Sequence, residues 1–201
     1  MSNLETIYEL RGKCDYFIGS PTEDPAPGMP YHYTLPYLAS KTPDVTEAAK
    51  RFFSYYNEEY SNVPATIAVI DMSKFDLLSQ YCRAVYSDYS EAPSVSNFLM
   101  YTNRATPSFG PFYDLGDYTK AIGALNGLEI GDDEWQEFLD EFILYKAATA
   151  YDYNGHRIEQ EKYSGISTYI YRPGDNTEKE KYFESLGWYQ DVFPVYDEDE
   201  L

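Results

Sequence analysis

The stretch ATIAVIDMSKFDLLSQYCRAVY, residues 65–86, sets the fold class. Ala65 to Ile70 is an uninterrupted apolar run of strand length, the pattern of a strand covered on both faces. Ser73-Lys-Phe-Asp then offers a capping box, and Phe75, Leu78, Tyr81, Cys82, Val85 and Tyr89 recur on one helical face. A buried strand that feeds an amphipathic helix lays that helix across a sheet. The chain is therefore expected to be α/β and not a helical bundle.

The flanking segments alternate in the same way. Upstream, a helix is expected over Leu4–Arg11, closed by Gly12, then a short strand at Asp15–Gly19 and a proline-stiffened loop from Ser20 to Pro30. Asp44-Val-Thr-Glu opens a further helix whose apolar face runs through Ala48, Ala49, Phe52, Tyr56 and Tyr60. Downstream, Ala92–Gly131 is rich in Pro, Gly and Ser, with a short helix near Asp117–Gly123. Asp132–Ala148 reads as one amphipathic helix on Trp135, Phe138, Leu139, Phe142 and Ile143. A late strand at Ile166–Tyr171 and a closing helix from Thr177 complete a pattern without internal repeats, taken as a single domain over residues 1–201.

Charge narrows the partners. With 15 basic and 34 acidic residues the formal net charge is −19, which repels nucleic acid and anionic membranes and favours cationic partners. No run approaches the roughly 20 apolar residues of a membrane-spanning helix, and Met1–Thr6 has neither the basic nor the apolar region of a signal peptide. The acidic end YDEDEL reads as a solvated tail. The 23 tyrosines suit amphipathic packing, with ring bodies inside and hydroxyls at the surface. Cys14 and Cys82 read as buried thiols, not as a disulfide framework.

Catalytic signals are sparse. His32 and His156 are the only histidines, and neither arrives with a recognisable nucleophile. Glu23 and Asp24 are adjacent on the proline-rich loop, a poor arrangement for a glycosidase pair, which spans a substrate across about 5–9.5 Å. Their chemistry suits a cationic side chain better, because a carboxylate accepts both forks of a guanidinium. The alternative is a solvated acidic turn. Asp114, Asp117, Asp132, Asp133 and Glu134 supply oxygen ligands of the kind calcium takes, without an EF-hand pattern, and Asp114 and Asp132 serve equally as helix caps. No cofactor is identifiable from these residues.

The order of segments resembles the clostripain-like cysteine peptidases. The matching pieces are LETIYELRGKCDYFIGSPTEDPAPGMPY, ATIAVIDMSKFDLL, SFGPFYDLGDYTKAI, GISTYIYRP and YFESLGWYQD, which together cover most of the chain. The resemblance implies part of a caspase-like α/β/α sandwich, with a mostly parallel sheet, flanking helices and its N-terminal strands missing. It also implies a Cys-His dyad, with the nucleophile just before Met1 and the histidine further upstream, so neither Cys14 nor Cys82 inherits the role. Residues 1–201 alone would then be inert, with a missing N-terminal portion as partner. The Ser20–Pro30 loop would be a specificity loop for Arg or Lys, with Asp24 and secondarily Glu23 meeting the cation beside Ser20. A basic peptide substrate, a secreted or envelope location in a bacterium and a possible calcium ion are implied by the same resemblance. A non-catalytic acidic domain that binds basic peptides is the alternative.

Overall fold

The computed structural model describes residues 2–60, 63–86, 98–101, 112–126, 132–153, 155–170 and 178–193. Helix α1 (Leu4–Tyr8) is capped by Asn3, whose side chain accepts from the Thr6 amide at 3.1 Å. Strand β1 (Tyr16–Gly19) leads into the proline loop, and α2 (Tyr31–Leu38) and α3 (Val45–Ser54) follow. Asp44 caps α3 through the Glu47 amide at 2.8 Å, as its sequence predicts, and a π-helical turn over Tyr55–Glu59 extends it. The helix α2 was not expected. Its run carries Pro36 and lacks a side-chain cap, so propensity conceals it, and packing on α3 holds it in place.

Strand β2 (Thr66–Asp71) and α4 (Phe75–Val85) form the expected strand–helix pair. The expected capping box at Ser73 does not form. A 3₁₀ turn at Met72–Lys74 intervenes, and Asp71 is the capping acceptor, taking the Ser73 amide at 2.9 Å and hydroxyl at 2.6 Å. Beyond lie β3 (Phe112–Asp114), α5 (Leu115–Leu125), α6 (Asp132–Phe142), β4 (Ile143–Ala148), β5 (Ser167–Tyr169), α7 (Glu178–Glu184) and α8 (Gly187–Val192). Most of the segment 92–111, Tyr89 and Thr177 fall outside the described residues.

The reading of Asp132–Ala148 as one helix is corrected, because the chain leaves α6 at Phe142 and pairs β4 along β2 from Thr66↔Ala148 to Ile70↔Ile143. The alanines and lysine of β4 carry no strand signal of their own. The open edge of β2 recruits them, a tertiary demand that overrides local propensity. Direction is corrected as well. The sheet β1-β2-β4 and the ribbon β3-β5 are antiparallel, where a mostly parallel sheet was expected. Among the described residues, the bridge Asn3↔Ser167 runs parallel. A strand buried on both faces reads alike in either direction, so hydropathy reports its cover and not its sense.

That cover comes from both sides. Ile67 and Val69 face α3, where Ala49, Phe52 and Tyr56 form one core. Ala68 and Ile70 face the larger core of Leu4, Tyr8, Phe75, Leu78, Trp135, Leu139, Phe142 and Trp188. Helices thus lie on both faces of the sheet. Glu5, buried in α1, ties that helix to β5 by accepting from the Thr168 hydroxyl at 2.7 Å and the Tyr169 amide at 2.9 Å.

Candidate functional site

The Ser20–Pro30 loop leaves the end of β1 and is pinned at several points. At its root, Ser20, Thr22 and Thr66 bury their hydroxyls together, with Thr66 Oγ1 at 2.5 Å from Ser20 Oγ and 2.7 Å from Thr22 Oγ1. Ser20 Oγ also donates to the Thr22 carbonyl at 3.0 Å. Midway, Gly28 adopts a φ of 74°, a left-handed conformation that favours glycine, and its amide closes a turn on the Pro25 carbonyl at 2.8 Å. The Tyr56 hydroxyl donates to the Gly28 carbonyl, and Pro25 and Pro30 are buried. The loop is rigid by construction.

Asp24 stands between these anchors. Its side chain reaches solvent, yet enough protein surrounds it that desolvation raises its pKa above the ordinary aspartate value, against the positive charge of the chain's amino terminus and the Ser20 hydroxyl, which lower it. Among the described residues no lysine or arginine forms an ion pair with Asp24. Glu23 is half-buried beside it and Ser20 is fully buried below. The structure therefore gathers Ser20, Glu23 and Asp24 on one anchored loop. Thr22, Thr66 and Tyr56 are anchors that sequence reasoning missed, although a lone threonine in the apolar run ATIAVI was a usable signal.

The loop also lies beside the start of the chain. The Ser2 amide donates to the Ser20 carbonyl at 2.5 Å, and the Ser2 hydroxyl donates to the Gly165 carbonyl at 2.9 Å.

The cysteines and histidines stay apart. Cys82 is buried, and desolvation pushes its thiol up to about 12, which keeps it neutral and unreactive. Cys14 is exposed in the turn before β1, a correction to its reading as a buried strand thiol, since β1 begins only at Tyr16. His32 is exposed against the Tyr33 and Tyr55 rings, at 4.3 and 5.8 Å between centroids. His156 Nδ1 lies 3.1 Å from Asp152 Oδ2 within a tight turn. Neither histidine contacts a cysteine in these interactions.

Asp114 is spent on the fold. Fully buried, it accepts from the Tyr101 hydroxyl, the Ser164 amide at 2.7 Å, the Ser164 hydroxyl at 2.8 Å and the α5 amides of Gly116 at 2.8 Å and Asp117 at 3.3 Å. Burial nevertheless pushes its pKa up to about 6. Asp117 accepts the Leu99 amide at 3.1 Å, and the side chains of Asp132 and Asp133 lie outside the described residues. Among the described residues no group of three or more His, Cys, Asp or Glu side chains converges to hold a metal ion, so nothing here is assigned to calcium. No described helix is long and apolar enough to cross a membrane.

The α/β architecture, with helices on both faces of the sheet, is similar to that of solved C11 cysteine proteases. The chain belongs to the clostripain family, peptidase family C11, whose sequence profile matches residues 1–199. It is similar to an inactive zymogen C11 protease from Parabacteroides distasonis (31% identity, TM-score 0.77, covering 96% of this chain and 56% of that one). It is similar also to a clostripain from Bacteroides thetaiotaomicron solved with the peptide inhibitor BTN-VLTK-AOMK (27%, 0.76, covering 97% and 84%). A third is the secreted C11 cysteine protease iotapain of the same organism (27%, 0.74, covering 96% and 52%). The chain thus spans little more than half the length of two of these proteins. No curated protein matches it.

Proposed function

We propose that residues 1–201 supply the substrate pocket and scaffold of a clostripain-like cysteine endopeptidase that cleaves after arginine or lysine. Asp24 is the carboxylate that meets the substrate cation, Glu23 adds to the local negative field, and Ser20 holds Asp24 in position. The observation that carries this reading is an accessible carboxylate, ion-paired with no described lysine or arginine, on a loop fixed by buried hydroxyls and the Tyr56 clamp. Seating a guanidinium or ammonium against protein requires such a partner, and a preorganised one binds without paying for its own ordering. The peptide of the inhibitor bound by the Bacteroides clostripain is written VLTK and ends in lysine, in keeping with a basic preference.

The chemistry is acyl transfer: a thiolate attacks the scissile carbonyl, backbone amides hold the oxyanion, and a histidine protonates the leaving amine. Cys14 and Cys82 are not that thiolate, since one is exposed with no histidine contact and the other is a buried neutral thiol. In this reading the Cys-His pair lies outside residues 1–201. Secretion of iotapain supports action outside the cytoplasm.

The test is Asp24→Asn in the catalytically competent protein. Removing one partner of a desolvated charge pair costs about 2–5 kcal/mol, so kcat/KM for lysyl and arginyl peptides should fall by roughly 30-fold or more. The melting temperature should hold, because an exposed side chain away from the core contributes within about 0.5 kcal/mol. Equal losses in both would make the loop structural and overturn the reading.

A further inference from the structure

A row of rings runs along α2 and the end of α3. Between centroids, His32 and Tyr33 lie 4.3 Å apart, Tyr33 and Tyr55 5.5 Å, and Tyr55 and Tyr60 5.5 Å, the last pair stacked at 23°. Tyr60 is 44% exposed, His32 is exposed, and Tyr33 and Tyr55 are half-buried. Backbone geometry produces the stacked pair. Residues five apart on an α-helix point about 140° apart around its axis. The π-helical turn Tyr55–Glu59, closed by the Tyr60 amide on the Tyr55 carbonyl at 2.7 Å, widens the turn and brings the two rings together. Turns of this kind recur at functional sites.

The chemistry of the row suits a cation. Aromatic faces carry the negative part of the ring quadrupole and attract ammonium and guanidinium groups. Carboxylates rim them here. Glu58 and Glu59 are exposed in the same π-helical turn, and the Tyr33 hydroxyl donates to Glu59 Oε2 at 2.5 Å, which fixes one carboxylate at the edge of the rings. The chain's own cations are engaged elsewhere. Among the described residues Arg51 lies over Tyr37, Lys50 over Tyr145 and Arg11 over Tyr8, and no described lysine or arginine is ion-paired with Glu58 or Glu59.

The place of the row beside the acidic loop defines the ligand. Helix α2 begins at Tyr31, directly after the last residue of the loop, so His32 and Tyr33 ride on its continuation. At the other end the Tyr56 ring packs 5.0 Å from Tyr55 and 5.9 Å from Tyr60, while its hydroxyl holds the Gly28 carbonyl of the loop. Burial raises the pKa of that hydroxyl, and the Tyr55, Tyr60 and Asp24 side chains add to the rise, so Asp24 lies within electrostatic reach of the row. An extended peptide advances about 3.3 Å per residue. A substrate with its cleaved residue on Asp24 therefore brings another side chain to the row within a few positions. We propose that these rings, with Glu58 and Glu59, form a second basic subsite that takes an arginine of the substrate other than the residue cleaved. Arginine suits it because a planar guanidinium stacks on a ring while donating to a carboxylate at its edge. This subsite presupposes the role of Asp24 given above and adds a second positive charge to what the protease reads.

The test measures kcat/KM of the catalytically competent protein for peptides cleaved after lysine, with products identified by mass so that only that cleavage is counted. One further residue, placed in turn at each of the positions up to three residues from the scissile bond, is arginine or its neutral isostere citrulline. At one position arginine should be favoured about fivefold or more. Tyr60→Leu should reduce that ratio about threefold, Tyr60→Phe, which keeps a ring, should restore most of it, and Glu59→Gln should reduce it about twofold. Should the Tyr60 variants fail to fold, Glu58→Gln combined with Glu59→Gln must lower the ratio. No arginine preference at any position, a preference that survives Tyr60→Leu, equal losses in Tyr60→Leu and Tyr60→Phe, or an unchanged ratio in the double glutamine variant would each overturn the second subsite. Its failure is distinguishable from failure of the Asp24 site, which is read by replacing the cleaved lysine with norleucine while the further residue stays citrulline. A protease that discriminates lysine from norleucine there, but not arginine from citrulline, keeps the Asp24 pocket and lacks the second subsite.

Discussion

The acidic loop and the ground beneath α5 are each organised around one aspartate, and burial raises the pKa of both. They differ in what their oxygens do. Asp114 is inaccessible and satisfied by amides and hydroxyls from β5's approach, α5 and Tyr101, so its acceptor capacity is consumed within the fold. Asp24 sits on an equally fixed backbone, yet its side chain reaches solvent. Rigid surroundings alone therefore do not distinguish a structural carboxylate from a binding one. Unspent acceptor capacity at an accessible surface does.

The largest effect that sharpens this contrast is expected from Asp114→Ala. It strands several buried donors, each worth about 1–3 kcal/mol when left unsatisfied, so chemical denaturation should show a loss of about 3–5 kcal/mol. A loss under about 1 kcal/mol would mean that the network is dispensable. Its pH behaviour follows from the sign of the shift. A carboxyl whose folded pKa lies above its unfolded value favours folding when protonated. This contribution is present below about pH 4 and lost as pH rises through about 6. The stability difference between the wild type and Asp114→Ala should narrow across that window, and a difference that stays flat or widens there would contradict the assignment.

Next in size, Glu23→Gln should reduce turnover of basic substrates by less than about fivefold, a screened field effect, and far less than Asp24→Asn does. A reversed ranking would move the binding role to Glu23. Thr66→Val keeps the shape of the strand but removes the hydroxyl shared by Ser20 and Thr22. It should cost about 1 kcal/mol of stability and raise KM for basic peptides more than it lowers kcat. A comparable effect is expected for Tyr56→Phe, which frees the Gly28 carbonyl for about 0.5–1.5 kcal/mol. Intact KM in both variants would show that the anchors do not position Asp24.

Much of the fold was legible because it rests on local pattern. The run Ala65–Ile70 and the α4 face announced themselves by period and length, and Asp44 by its cap. What escaped was set by distant neighbours. Strand direction depends on partners that hydropathy does not name, β4 is defined by the open edge of β2, and α2 by its packing on α3. The acidic loop was visible through its prolines and paired carboxylates. Its anchors were not, since Thr66 and Tyr56 lie far along the chain and look like ordinary strand and helix residues until the fold brings them to Ser20 and Gly28.

The most direct measurement is a cycle between Asp24 and the substrate's charge: kcat/KM of the wild type and Asp24→Asn for a peptide ending in lysine and for the same peptide ending in neutral norleucine. The account predicts a coupling of about 2 kcal/mol or more, with Asp24→Asn indifferent to the norleucine peptide. Equal losses on both peptides would contradict it, because the carboxylate would then be supporting the loop and not recognising the cation.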